Sequence, residues 1–219
     1  MELLRTPRLL LRHWEESDLP AFFDLYSRDD VMRWLGSHPR RTLATLDEAR
    51  ERLGRWRARQ LDAPLGLWAV VPLVPGTSWP PPAGTVLLVP LADADGPTGL
   101  IEVGWHLHPR HQGQGLATEA AGALLAAAAG TGIGQVLALT DLDNVRSQAV
   151  AARLGMSDEG TTDRWFGLTA RQFRKSLTAA DGDGSPGAEI TRPSGAVTTR
   201  GVRPDDPGRP PGRRRTSAP

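Results

Sequence analysis

The chain has 219 residues with 26 basic and 25 acidic side chains, enough for one domain of about 100–200 residues plus an appendage and too evenly charged to argue for nucleic acid or an anionic membrane as the main partner. It contains no cysteine, which excludes a disulfide scaffold, a thiolate zinc site and a cysteine nucleophile. Charges interrupt the opening "MELLRTPRLLLRHW" too often for a signal peptide, and no apolar run approaches ~18 residues, so a soluble cytoplasmic protein is expected.

In chain order, "RLLLRHW" reads as a strand apolar enough to be largely buried. "SDLPAFFDLYSRDDVMRWL" follows as a helix with a Ser-Asp cap, an early proline, and Leu19, Phe22, Phe23 and Tyr26 at helical spacing. A second helix opens on the capping box Thr45-x-x-Glu48 and carries Leu46, Ala49, Leu53 and Trp56 on one side. "LWAVVPL" and "GTVLLVPL" are strands of a hairpin whose long tip, "VPGTSWPPPAG", is kept irregular by its prolines. "LIEVGWHLHP" is another strand, stopped by Pro109. From Gly115 an Ala-rich helix runs to Gly130, "GQVLALT" is a buried strand, and "NVRSQAVAARLG" is a short helix from an Asn cap to Gly155. "RWFGLTARQFRKS" supplies the last strand material.

The order β-α-α-β-β-β-α-β-α-β-β predicts a mixed α/β fold, with a mostly antiparallel central sheet flanked by helices. The domain is expected to span residues 1–178. Residues 179–219 hold seven prolines and seven glycines, with little that is large and apolar, and predict a disordered tail. Its "GRRRTS" ending is read as solvated; nucleic-acid contact there is the less favoured alternative.

The most informative stretch is "RHQGQGLATEA", residues 110–120. A strand running into a Gly-rich turn and a helix start aims several backbone N–H groups at one spot, backed by the positive end of the helix dipole, and so makes an anion site. A tight turn without a ligand is the bland alternative. Thr118 stands where a dinucleotide fingerprint has its third glycine, and no lysine follows the glycines as a phosphate-binding P-loop requires. Three of the five histidines, His106, His108 and His111, lie close together, but without carboxylates at ligand spacing, so no metal site is expected.

The segment Gln112-Gly113-Gln114-Gly115-Leu116-Ala117 fits the Q/R-x-x-G-x-G/A signature of the GNAT superfamily of N-acetyltransferases. Three further pieces match in order. "TPRLLLRHWEESDLPAFFDLY" looks like that family's first strand and helix, "DNVRSQAVAARLGM" resembles its N-x-x-S segment, and "RWFGLTARQFR" is similar to the closing strands of the branch containing the ribosomal-protein alanine N-terminal acetyltransferases. The resemblance covers roughly residues 2–177 and implies acetyl-coenzyme A as co-substrate and a primary amine as acceptor. Direct transfer in a ternary complex is expected, since there is no cysteine to carry the acetyl group.

On that resemblance, the amides of Gly113, Gln114, Gly115, Leu116 and Ala117 would hold the pyrophosphate, with Gln112 in the signature and the Thr118 hydroxyl as a possible addition. Gly104 and the edge formed by Trp105, His106 and Leu107 would hydrogen-bond the pantetheine arm, although Gly104 could instead mark only a bulge. Glu102, the only carboxylate in an otherwise apolar strand, is the candidate base; an outward-facing glutamate is the bland reading, and His106 and His108 are alternative bases. Asn144 would bind a pantetheine amide or simply cap its helix. Ser147, one turn on, would meet the departing sulfur, as in the branch that lacks a tyrosine there, or be simply an exposed helical serine; the position where many relatives carry a tyrosine is Ala151, and the only tyrosine is Tyr26. Trp34, Trp165 and Phe166 are candidate acceptor-pocket walls, with a core role the favoured reading of each taken singly. The alternative is a catalytically silent acyl-coenzyme A-binding module of the same fold. The acceptor's identity and homodimer formation are left open.

Overall fold

A computed structural model of the chain describes residues 2–36, 39–59, 61–74, 76, 80–165 and 167–177. Eight strands form one sheet in the order β1-β2-β3-β4-β5-β6-β8-β7. They are β1 (Glu2–Arg5), β2 (Leu9–His13), β3 (Gly66–Pro72), β4 (Gly84–Asp93), β5 (Gly96–Leu107), β6 (Gln135–Thr140), β7 (Ser157–Thr162) and β8 (Ala170–Ser176). The helices are α1 (Leu19–Tyr26), α2 (Asp29–Met32), α3 (Leu46–Ala58), α4 (Leu116–Ala128) and α5 (Val145–Arg153). Every strand pair is antiparallel except β5 with β6, the two strands joined by the α4 crossover. The expected mixed, mostly antiparallel sheet is therefore the fold.

Both faces of the sheet are covered, which is why β2 is apolar at consecutive positions rather than at alternate ones. Leu9 and Leu11 join Trp68, Val86, Val103 and the inner face of α4 in one core. Leu10 points the other way and packs with Ala69, Val71, and α1 and α3 through Phe22, Tyr26, Ala49 and Leu53. Beneath α1, Arg12 is 9% exposed and holds Asp18 through two bonds of 2.6 and 2.8 Å. The Glu15 N–H donates to the same carboxylate at 2.8 Å, so this buried ion pair fixes the chain's entry into the helix.

Four sequence expectations change. Residues 2–5 form β1 as a hairpin with β2. The long first helix is two, because Arg28 is extended (φ −89°, ψ 127°) and Ser27 turns its hydroxyl back onto the Asp24 carbonyl, competing with continued helical bonding. Leu46 is 47% exposed, while Arg52 takes the inward position between Ala49 and Trp56. The closing strands are β7 and β8; Arg164, Trp165 and Gly167–Thr169, part of the stretch read as strand, belong to neither. The expected tail lies outside the described residues.

Candidate active site

Strand β5 organises the site. Its alternation sends Val103 and Leu107 into the α4 core and Glu102, Gly104 and His106 onto the face beneath α1 and α3, where they line a cavity. On its free side β5 is paired with β6 only through Ile101–Val136 and Glu102–Leu137. Past Glu102 the two strands part, and the backbone of residues 103–107 borders the opening. Gly104 pairs in register with Leu87, and the irregularity in the β4–β5 ladder falls at Pro90–Ala92 instead, so Gly104 does not mark a bulge. Gly84 is held bare by a close approach: a Cβ there would lie 2.0 Å from the His106 carbonyl oxygen.

Two cavities meet along this strand. A groove of about 1200 Å³ runs beside Leu107, Gln112, Gly113, Gly115, Leu116, Ala117 and Thr118, and a chamber of about 220 Å³ lies beside Glu102, Gly104 and Trp165. Trp34, Trp105, His106, Asn144 and Ser147 line both, and they mark the junction.

The turn opening the groove is shaped for an anion. Gly113 and Gly115 have φ of 74° and 77°, left-handed values that glycine adopts without strain. A Cβ at Gly113 would meet nothing within 4 Å, so backbone conformation, rather than crowding by the protein, demands glycine. The first backbone bond of α4 runs from the Glu119 N–H to the Gly115 carbonyl at 3.0 Å. Among the described residues, therefore, the amides of residues 113–118 have no backbone acceptor, and the buried Thr118 Oγ1 has no partner. Such a donor set suits a diphosphate.

Gln112 and Gln114 serve the loop itself. The Gln112 Nε2 donates to the Leu107 carbonyl at 2.9 Å and its Oε1 accepts from Arg146 at 3.2 Å, tying the end of β5 to α5. The Gln114 Nε2 donates to the Arg110 carbonyl at 2.9 Å. Arg8 reaches from the β1–β2 turn to the Gln114 carbonyl at 3.0 Å and to Glu119 at 2.6 Å, offsetting an acidic charge beside the anion site.

At the junction the Asn144 Oδ1 accepts from the Ser147 N–H at 3.2 Å and so caps α5. The Ser147 Oγ accepts from the Trp105 indole N–H at 3.1 Å across the opening, which leaves the hydroxyl proton for another acceptor. Glu102 has no ion pair among the described residues, and desolvation pushes its carboxyl up to about 7. His106 goes the opposite way: burial, then the charge of Arg52, push it down to about 4. Its Nδ1 lies 3.1 Å from the Tyr26 hydroxyl, which also shares a 2.7 Å bond with Thr85. His108 does not line either cavity. Its Nδ1 accepts from the Arg110 N–H at 3.2 Å, and its Nε2 lies 3.1 Å from an Asp24 carboxylate oxygen.

Trp34 stands at the junction beneath the Arg33 guanidinium, 4.5 Å from its ring centre. Trp165 is 1% exposed, packs with Leu91 and Leu137, and donates to Gln172 at 2.7 Å, so it backs the chamber as a core residue. Phe166 lies outside the described residues. Sequence reasoning missed Arg40, Arg52 and Arg59, all of which line the chamber. For Arg52 a signal existed: it sits three residues after Ala49 and four before Trp56, on the apolar stripe.

Residues 8–157 match the family described as Acetyltransferase (GNAT) domain. Among solved structures, the chain is similar to an acetyltransferase (GNAT family) from Bacillus anthracis at 20% identity, covering 81% of this chain and 99% of that one with a TM-score of 0.63. It is also similar to RimL, a ribosomal alpha-N-protein acetyltransferase in complex with coenzyme A, at 18% identity, 84% and 100% coverage and a TM-score of 0.64. The acetyltransferase from Agrobacterium tumefaciens matches at 24% identity, 80% and 94% coverage and a TM-score of 0.59. Among the described residues no helix is long and apolar enough to cross a membrane.

Proposed function

The chain belongs to the GNAT acetyltransferase family, and on that premise we propose that it transfers an acetyl group from acetyl-coenzyme A directly to a primary amine, with both substrates bound together. The observation that carries this reading is the junction: a diphosphate-shaped groove and a chamber containing a desolvated carboxylate meet at the Trp105–Ser147 bridge. Acetyl-coenzyme A supplies an activated thioester, and the donors available fit it. The amides of residues 113–118 and the Thr118 hydroxyl would hold its diphosphate, while the β5 edge at Trp105, His106 and Leu107 and the Asn144 side-chain amide would hold its arm.

Each remaining task falls to a residue in place. Glu102, with its carboxyl pushed up to about 7, is the general base that takes the ammonium proton of the acceptor, directly or through water. An amide N–H on the open edge of β5 faces the developing oxyanion. Ser147, its oxygen already engaged by Trp105, turns its O–H toward the departing sulfur. His106 stays neutral near pH 7 and acts as a wall held by Tyr26 rather than as the base. Trp34 and Trp165 bound the acceptor side, and the catalytic unit is complete within residues 1–178.

Calorimetric titration of the full chain with acetyl-coenzyme A and, separately, NADH tests the groove; saturable binding of acetyl-coenzyme A alone is expected. Acetylation of an amine panel by the native protein and Glu102→Gln then tests the chemistry. Tight binding with no transfer to any amine would replace the enzyme by a silent acyl-coenzyme A-binding module.

A further inference from the structure

Three polar side chains form a relay that runs from the core to the junction of the two cavities. The Tyr26 hydroxyl, at the end of α1, lies 2.7 Å from the Thr85 Oγ1 on β4 and 3.1 Å from the His106 Nδ1 on β5. Thr85 and His106 are register partners in the β4–β5 ladder, so one phenol from α1 bridges two neighbouring strands. Edge-on contacts with Trp56 and His106, at 5.4 and 5.9 Å between ring centres, fix the direction of that phenol. Tyr26 is 1% exposed and Thr85 is fully buried, so bulk water completes the relay at neither.

The order of the protons follows from what each group lacks. The Thr85 hydroxyl has no partner except Tyr26 among the described residues, and a buried hydroxyl proton without an acceptor is costly. Its proton therefore goes to the Tyr26 oxygen. Burial raises the Tyr26 phenol above its ordinary value, so it keeps its own proton, and the acceptor within reach is the His106 Nδ1. The reverse order, in which Nδ1–H donates to Tyr26 and Tyr26 to Thr85, strands the Thr85 proton in the core. Burial, then the charge of Arg52, pushes His106 down to about 4, so its ring is neutral near pH 7 and carries a single N–H. With Nδ1 accepting, that N–H is at Nε2.

The Nε2 has no partner among the described residues. It is not sealed in the core, since the ring lines both the groove and the chamber beside Trp105 and Ser147. Resting on the reading of this junction as the place of acetyl transfer, we infer that His106 binds a carbonyl oxygen of the substrates through its Nε2–H, with Tyr26 and Thr85 as the positioning residues that fix this tautomer. A bare nitrogen here would accept from the ammonium of the incoming amine and compete with Glu102. An N–H cannot, which leaves the ammonium to the carboxylate and the carbonyl to the imidazole. The shared chemistry has three sources: the thioester, the amides of the coenzyme arm, and an acceptor with a carbonyl next to its amine.

The test reads the His106 ring by nitrogen NMR in the isotope-labelled full chain at pH 7, with the ring assigned through its own backbone. Without ligand, Nε2 should carry the proton and Nδ1 should show the shift of an unprotonated nitrogen. Tyr26→Phe removes the donor to Nδ1 and should move population toward Nδ1–H. Thr85→Val leaves the Tyr26 proton directed at His106 and should keep Nε2–H. The native chain is then given coenzyme A, acetyl-coenzyme A, or coenzyme A with alaninamide, and isopropylamine serves as the counterpart without a carbonyl. A shift of the Nε2–H with coenzyme A alone identifies an arm amide, one that needs the acetyl group identifies the thioester, and one that needs alaninamide but not isopropylamine identifies the acceptor. Tyr26→Phe should weaken binding of the ligand so identified by about threefold to tenfold, the weight of one neutral hydrogen bond.

A native ring protonated at Nδ1, or an Nε2–H that none of these additions moves while coenzyme A is bound, overturns the inference. Should Tyr26→Phe fail to fold, the native tautomer and the native shifts still decide. Occupancy by coenzyme A is read separately, from the amides of residues 113–118. Failure of those amides to respond would strike the acetyltransferase reading itself and the inference with it, an outcome distinct from a silent His106 beside a filled groove.

Discussion

Glu102 carries the sharpest consequences at the scale of single residues. As a base whose carboxyl is pushed up to about 7, it should give a kcat that rises with pH through about 7 and levels off above it. Glu102→Gln should flatten that rise and lower kcat roughly 100-fold or more, with acetyl-coenzyme A affinity little changed. Unchanged activity from pH 6 to 9 would remove Glu102 from the mechanism. The same residue sets a stability cost of opposite sign. A carboxyl raised from 4.5 to about 7 by folding holds its proton more tightly when folded, so stability is lost as pH climbs through that interval and the loss is complete above it. The rise corresponds to about 3 kcal/mol. Glu102→Gln should therefore melt higher than the native protein at pH 8 and show little advantage at pH 4, a contrast that calorimetry at the two pH values would reveal. Ser147→Ala should reduce kcat about tenfold through loss of a hydrogen bond to a developing thiolate, and should also free the Trp105 indole, detectable in its fluorescence.

At the scale of elements, the turn before α4 and the ion pair before α1 make separable predictions. Gly115→Ala forces a side chain into φ 77° at the helix N-cap. It should cost about 1–2 kcal/mol in denaturant unfolding and weaken acetyl-coenzyme A binding as the turn relaxes. Arg12→Ala strands Asp18 beneath α1 and should cost about 3–5 kcal/mol with the same readout, without first touching the groove. These elements were legible in the sequence to unequal degrees. The glycine turn, the Asn144 cap and the apolar strand carrying Glu102 announce themselves locally, through backbone requirement or composition. β7 does not: "SDEGTT" is polar on both faces because it is an edge strand, paired only with β8 and guarded by cross-strand bonds from Arg171 to Asp158 and from Arg174 to Glu159. Arg52 was hidden by a different rule, since arginine on a helix is ordinarily a solvated residue. The parting of β5 from β6 is non-local and leaves no mark in either strand's own pattern. The fold was thus readable from local signals and the groove largely so, whereas the acceptor chamber emerges only when α1, α3 and β5 are brought together.

For the whole molecule, the last described residues belong to the fold, with β8 ending at Ser176 and the Leu177 N–H donating to the Gly134 carbonyl at 2.9 Å. Ending the chain at residue 178 should therefore leave the melting temperature and acetyl-coenzyme A affinity nearly unchanged, while ending it before Phe173, which is buried in the main core, should abolish cooperative unfolding. The shared boundary of groove and chamber at Trp34, Trp105, His106, Asn144 and Ser147 has a kinetic meaning. Compartments with a common wall are not filled independently: whatever enters the larger one first finishes the shape of the smaller. Initial-rate plots should accordingly intersect rather than run parallel, and coenzyme A should inhibit competitively against acetyl-coenzyme A but not against the amine, the signature of a compulsory order in which the donor arrives first and the product thiol leaves last.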